Sequence, residues 1–83
     1  MQQEREFGTT VRWVDERGFG FIRLDRNKTQ QLFVHHSEIV NMQGFRVLKQ
    51  GQRVSFIMVK DQNKRLPQAL DVHIIEEDEG ALN

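Results

Sequence analysis

Two short segments of the sequence place flat ring side chains at the spacing of a β-strand. Phe19 and Phe21 lie two residues apart beside glycines, and Phe33 and His35 repeat that spacing shortly afterwards. Alternate residues of a strand point to the same face of a sheet, so each segment would present two rings on one face. Rings exposed at this spacing could stack against planar ligands such as nucleobases.

The residues that alternate with these rings can fill a hydrophobic core. Ile22 and Leu24 share the second face of the first segment, and Leu32 and Val34 share that of the second. This alternation predicts that the aliphatic side chains lie inward and the rings outward. In the opposite arrangement the phenyl rings would form the core of a sandwich, which the flanking glycines disfavour.

β-prone runs separated by turn-forming residues predict five strands, at residues 7–14, 19–24, 31–35, 53–60 and 68–75. Ser37 can cap one short helical turn over residues 37–40, and an irregular connection then leads to Gly51. The chain is too short for two sheets, and open sheet edges would aggregate. The predicted fold class is therefore all-β, a small five-stranded antiparallel β-barrel with one short helical turn after strand 3.

Nine side chains alternate with outward neighbours and form the predicted core: Val11, Ile22, Leu32, Val34, Val54, Phe56, Met58, Val72 and Ile74. The single tryptophan does not fit this alternation. Trp13 falls on the same face as Val11, so an outward Trp13 requires a β-bulge or a strong twist between the two residues. The alternative is that Trp13 is a partly buried anchor of the core.

The 83-residue chain is long enough for one domain, which we place at residues 1–75, followed by an acidic tail at residues 76–83. The formal net charge is zero, but residues 1–75 hold 12 basic and 8 acidic side chains, so the domain carries +4. The acidic run at residues 76–79 is either a solvated chain end or a competitor of phosphates for the basic domain. The lack of cysteine and of an apolar leader predicts a cytoplasmic location and no membrane partner.

Catalytic and metal-binding patterns do not emerge from the sequence. His35 and His36 are neighbours in a strand and point apart, His73 is remote, and no cysteine could complete a zinc site. No motif joins a nucleophile, a base and an orienting group. The sequence therefore predicts a protein that is not an enzyme and uses no cofactor or metal ion.

Several motifs together resemble the cold-shock domain family, over about residues 8–75. Residues 11–13, Val-Arg-Trp, resemble the family's Val-Lys-Trp, and residues 17–22, Arg-Gly-Phe-Gly-Phe-Ile, resemble its Lys-Gly-Phe-Gly-Phe-Ile. Residues 32–35, Leu-Phe-Val-His, are similar to Val-Phe-Val-His, and residues 44–56 contain counterparts of Gly-Phe-Arg-x-Leu and Gly-Gln-x-Val-x-Phe. The resemblance implies that the barrel is an OB-fold, the oligonucleotide-binding kind.

By the same resemblance, the residues expected to contact single-stranded RNA or DNA are Arg12, Trp13, Phe19, Phe21, Phe33, His35 and Phe45. Phe45 belongs to the long connection, where the alternative is that it plugs the end of the barrel. The sequence also departs from the family pattern. It has Val14 and His36 where phenylalanine is usual, Leu66 in place of a glycine, and Asp71 in place of an asparagine.

Positive side chains complete the predicted binding surface. Attraction for phosphates is expected from Arg12, Arg17, Arg23, Lys28, Lys60 and Lys64. These features predict stacking on single-stranded, pyrimidine-rich RNA or DNA, as in an ATP-independent RNA chaperone or a regulator of transcription or translation. The rival interpretation is a module that binds proteins through the same aromatic face. We expect a monomer, and a strand-exchanged dimer is the open alternative.

Overall fold

The computed structural model describes residues 4–40 and 47–76. Its strands are β1 (Glu6–Val14), β2 (Phe19–Leu24), β3 (Gln31–His35), β4 (Ile39–Val40), β5 (Arg53–Val59) and β6 (Gln68–Glu76). All but β4 were predicted, each to within one residue at either end. Strand β6 ends at Glu76, one residue into the segment predicted as tail, and residues 77–83 lie outside the described residues.

The five longer strands close into a barrel. They are hydrogen bonded in the order β3-β2-β1-β5-β6, with antiparallel neighbours throughout. Strand β6 then returns to β3 through a parallel contact between Phe33 and Gln68, beside which the Phe33 N–H donates to the Pro67 carbonyl at 2.9 Å. The prediction of an all-β, five-stranded barrel is confirmed. The parallel closure and the short β4, which pairs with β6, were not predicted.

The helical turn after β3 is a 3-10 helix over His36–Glu38. The predicted turn is confirmed, but its bounds of 37–40 and its cap at Ser37 are wrong. His35 is the N-cap residue, and its side chain accepts a hydrogen bond from the Ser37 backbone N–H. The turn ends at Ile39 because residues 39–40 are extended and pair with β6. Within the part of the chain that the structure describes, no helix is long and apolar enough to cross a membrane.

The barrel interior is filled almost entirely by aliphatic side chains, and its buried hydrophobic residues are Ile22, Leu24, Leu32, Val34, Ile39, Leu48, Val54, Phe56, Ala69 and Val72. Six of the nine predicted core residues are among these, and Met58 and Ile74 pack against them partly buried. The prediction for Val11 is wrong. A register shift between Thr10 and Arg12 makes Val11 the extra residue of a β-bulge, and the buried Thr10 lies opposite Ile22 instead.

The segment before β1 is bound to the barrel through Arg5. Its guanidinium donates to the side chain and carbonyl of Ser55 at 3.2 and 2.9 Å, and to the side chain and carbonyl of Asp71 at 2.7 and 2.6 Å. Asp71 has a φ of +52° and lies where the register between β5 and β6 shifts. Arg5 therefore joins the chain before β1 to both strands of this irregular pair.

Candidate nucleic-acid interface

Three phenyl rings form a cluster on the outer side of β2 and β3. Phe21 and Phe33 are direct partners across the two strands, with ring centroids 6.1 Å apart and planes at 71°. The Phe19 centroid lies 5.3 Å from that of Phe33 and 6.0 Å from that of Phe21. The alternating residues Ile22 and Val34 are fully buried, which rules out a core made of the three rings. The rings are half-buried against one another and keep part of their surface open.

His35 extends this row at the end of β3. It is the cross-strand partner of Phe19, and its side chain is exposed. Its ring centroid lies 4.4 Å from that of His36, which sits close to Gly18. Gly18 has a φ of +72°, and a Cβ there would lie 2.7 Å from the His36 ring. A glycine at position 18 therefore permits both the positive φ of the turn and the close approach of the His36 ring. We call the outer surface formed by Phe19, Phe21, Phe33 and His35 the ring face.

Trp13 does not join the ring face. It pairs with Gly20, whose partner on β3 is the buried Val34, so its side chain starts on the core-facing side of β1. The indole is half-buried against the core, and its Nε1 is buried without a hydrogen-bond partner among the described residues. The bulge that an outward Trp13 required is present, but it moves Val11 outward and leaves Trp13 on the inner side.

Basic side chains border the ring face. Arg12 is exposed and pairs with Phe21 across β1 and β2. Arg23 continues the same face of β2 and is half-buried, and the exposed Arg17 lies in the turn between β1 and β2. Lys28 is exposed in the connection between β2 and β3, outside the strands that carry the rings. The strand register thus explains why Arg12 and Arg23 lie on the same face as the rings.

A groove of about 330 Å³ opens beside the ring face, and it is lined by Phe21, Phe33, Lys64, Arg65, Leu66 and Gln68. A second groove of about 320 Å³ is lined by Gln30, Lys60, Asp61, Gln62, Lys64, Arg65 and Pro67. Lys64 and Arg65 belong to both grooves, so they connect the rings with the β5–β6 loop. The structure therefore brings the predicted Lys64 to the rings, and it places Lys60 one groove away.

Three residues of the first groove were missed as site residues, namely Arg65, Leu66 and Gln68. They lie beside the rings because β6 closes the barrel against β3, a long-range contact that no local pattern reports. The one available signal was Leu66, an apolar residue where the resembling family has glycine. Phe45, which the resemblance singled out, lies outside the described residues.

The shifted pKa values belong to ion pairs away from the ring face. Hydrogen bonds from Arg26 at 2.8 and 2.9 Å lower the pKa of Glu6, and the hydrogen bond from Arg5 lowers that of Asp71. Among residues 4–40 and 47–76, no three His, Cys, Asp or Glu side chains come together as a metal site. The ring face can stack on a planar ligand, and the basic side chains at its border can attract anions.

A closed barrel of five strands with an outward ring cluster and a basic border defines a class, the small β-barrel domains of the OB-fold. Residues 7–75 match the family described as the 'Cold-shock' DNA-binding domain, and the chain belongs to that family. The family is one of nucleic-acid-binding proteins and not of enzymes. The resemblance noted in the motifs is thereby confirmed.

Individual relatives agree with this assignment. The chain is 48% identical over 64 residues to the cold shock-like protein CspA of Vibrio cholerae, covering 76% of this chain and 86% of that protein. It is 42% identical over 67 residues to a cold shock-like protein of Thermotoga maritima, covering 80% and 94% respectively. Among solved structures, drosophila Unr CSD456 matches with a TM-score of 0.71 and 23% identity, over 93% of this chain and 29% of that one. The last comparison supports the fold alone.

Proposed function

We propose that the ring face binds single-stranded RNA or DNA by stacking nucleobases on Phe19, Phe21, Phe33 and His35. The observation that carries this proposal is the cluster of three outward phenyl rings with centroids 5.3 to 6.1 Å apart. Each base that stacks on an aromatic side chain contributes about 1–3 kcal/mol, and every base has a π-face. Stacking depends little on the base sequence of the nucleic acid. We expect a preference for pyrimidine-rich strands.

Positive side chains supply the second part of the proposed interaction. Arg12 and Arg17 border the rings on the β1 side, and Lys64 lies in the groove beside Phe21 and Phe33. Their attraction for phosphates is independent of sequence and weakens as salt is added, because counterions compete for the same charges. The exposed part of the half-buried Trp13 indole, next to Arg12 in β1, and Phe45 complete the proposed contact residues.

Selection for single strands gives the proposed cellular activity. Stacking in a duplex hides the base faces, so the ring face is expected to bind unpaired segments only. A ligand that binds one state of an equilibrium shifts the population toward that state by mass action. The protein would therefore favour the unpaired state of RNA without ATP, as an RNA chaperone does. As a monomer, each protein molecule would bind one unpaired segment.

The experiment is a titration of labelled hexamers of matched sequence in RNA, DNA and duplex form. We expect both single strands to bind, the duplex to bind at least tenfold more weakly, and the emission of Trp13 to be quenched on binding. A hairpin carrying a fluorophore and a quencher should open on adding protein without ATP. Equal affinity for duplex and single strand, or no binding at any salt concentration, would refute the proposal and favour a surface for proteins.

A further inference from the structure

The imidazole of His35 is held by its neighbour two residues along the chain. Its Nδ1 lies 3.2 Å from the backbone nitrogen of Ser37 and 2.9 Å from the Ser37 Oγ. A backbone N–H can only donate a hydrogen bond, so Nδ1 must be the acceptor. The lone pair of Nδ1 is therefore directed at Ser37 whenever the cap of the 3-10 helix is formed.

This contact determines where the proton of the neutral ring is placed. A neutral imidazole carries one N–H, and the nitrogen that accepts a hydrogen bond is the one without it. His35 is then the tautomer with its proton on Nε2. That nitrogen has no partner among the described residues, and the side chain is exposed at the end of the ring face. A directed donor is thus left free beside Phe19.

We propose that Ser37 is a positioning residue for nucleic-acid binding, which fixes His35 as the Nε2–H tautomer so that this N–H donates to an acceptor atom of the nucleic acid. The inference rests on the proposed function, because it assigns one hydrogen bond within that same surface. It adds a directed contact to a face otherwise made of stacking rings, and it couples the cap of the turn to the orientation of the ring.

The neighbouring ring supports this assignment. The His36 ring centroid lies 4.4 Å from that of His35, with the two planes at 38°, and the His36 ring lies close to Gly18. His36 makes no hydrogen bond comparable to that of His35 among the described residues. It therefore serves as an internal control, a second exposed imidazole whose tautomer is fixed by no side-chain hydrogen bond among the described residues.

The spectroscopic test is a long-range ¹H–¹⁵N correlation of the histidine rings in the free protein at pH 8, where unperturbed imidazoles are neutral. We expect the His35 signals to report a bare Nδ1 and a protonated Nε2, while His36 shows an average of both tautomers. Ser37→Ala keeps the backbone donor at 3.2 Å but removes the hydroxyl, which makes the shorter contact with Nδ1 at 2.9 Å, so His35 should become partly averaged, and Ser37→Thr should retain the wild-type signals. A protonated Nδ1 on His35 in the wild type would overturn the proposal.

The binding test compares two amides at position 35 that are equally poor at stacking. His35→Gln places an N–H near the Nε2 position, whereas His35→Asn keeps an acceptor near the Nδ1 position and has no donor at the far end. We expect a pyrimidine hexamer to bind His35→Gln about twofold to tenfold more tightly than His35→Asn, the range of one ordinary hydrogen bond. Ser37→Ala should weaken binding by a smaller factor, because the backbone donor remains, and Ser37→Thr should not weaken it.

The controls separate this inference from the function on which it rests. Urea unfolding of every variant shows whether the barrel is intact, and only variants with wild-type midpoints are compared. If the wild type binds no single strand, the proposed function fails. If the wild type binds and the two amides are equal, the function stands and the role of Ser37 and the Nε2–H donor is wrong.

Discussion

The indole of Trp13 lies against the backbone of Gly20, its direct partner across β1 and β2. A Cβ on Gly20 would lie 2.6 Å from the Trp13 Cε3 atom and in collision with the Arg12 carbonyl oxygen. Gly20 is flanked by Phe19 and Phe21, so the same glycine that spaces two rings of the ring face seats the tryptophan on the inner side. The close approach explains why a residue without a side chain occurs between two phenylalanines.

This contact predicts that Gly20→Ala destabilises the barrel. The added methyl meets backbone and cannot be relieved by rotation of a side chain, so we expect the free energy of unfolding to fall by about 1–3 kcal/mol. The emission maximum of Trp13 should move, because the indole must shift. Gly51→Ala is the control for the emission: its φ of +94° should also lower the stability, but its Cβ meets nothing within 4 Å, so the Trp13 emission should stay in place. An unchanged midpoint and emission in Gly20→Ala would show that the contact is not tight.

The geometry of the ring face predicts that Phe19→Ala and Phe33→Ala separate binding from stability. Each change should weaken binding of a single-stranded hexamer by about 1–3 kcal/mol, because one stacking surface is lost. Stability should change little, since the rings are half-buried outside the core. Phe7→Ala is the matched control, because Phe7 is 47% exposed and has no ring contact with the cluster. Loss of binding in Phe7→Ala to the same extent would contradict the assignment.

The groove beside the rings predicts a defined response to salt. Binding affinity should fall steeply as salt rises, and Lys64→Gln should reduce the slope of log affinity against log salt by about 0.7, the value for one phosphate on a single strand. Lys49→Gln removes the same charge from an exposed residue that lines neither groove, and the slope should stay as in the wild type. A salt-independent affinity would instead support docking of a protein on the ring face.

The ion pair between Arg5 and Asp71 predicts a dependence of stability on pH. Arg5 lowers the pKa of Asp71 in the folded protein below its ordinary value of about 4. The ion pair therefore contributes fully to the free energy of unfolding above the ordinary pKa of Asp. This contribution is lost as the pH falls through the lowered pKa of Asp71 in the folded protein. Between pH 5 and pH 2, the urea midpoint should fall less in Asp71→Asn than in the wild type. Asparagine accepts the left-handed φ of +52° at this position, so the backbone is not the cause. If the urea midpoints of wild type and Asp71→Asn fall in parallel as the pH is lowered, the ion pair does not contribute to the pH dependence.

Strand patterns were sufficient to predict most of the barrel from the sequence. Alternation placed Ile22, Leu32 and Val34 inside and the rings outside, because one face of each strand must be buried. It failed at Val11, where a bulge adds one residue and the periodicity of two no longer holds. Similarly, the cap of the 3-10 helix was assigned to Ser37 by propensity, whereas the side chain that accepts its backbone N–H belongs to His35.

The candidate site was predictable only where its residues share a strand. Phe19 with Phe21, and Phe33 with His35, follow from spacing alone. The grooves do not, because Leu66 and Gln68 reach the rings through the closure of β6 against β3 and not through any local pattern. Trp13 was named as a contact by the family resemblance, and its packing against the core beside Gly20 could be read only from the structure.

The most direct test of the stacking claim is an aromatic ¹H–¹³C correlation spectrum recorded while a pyrimidine hexamer is added. A base lying flat on a phenyl ring shifts the ring protons upfield, and we predict such shifts for Phe19, Phe21 and Phe33 at saturation, with Phe7 unmoved. Signals of these three rings that stay in place in the saturated complex, while another surface responds, would show that the bases bind elsewhere and that the ring face is not their platform.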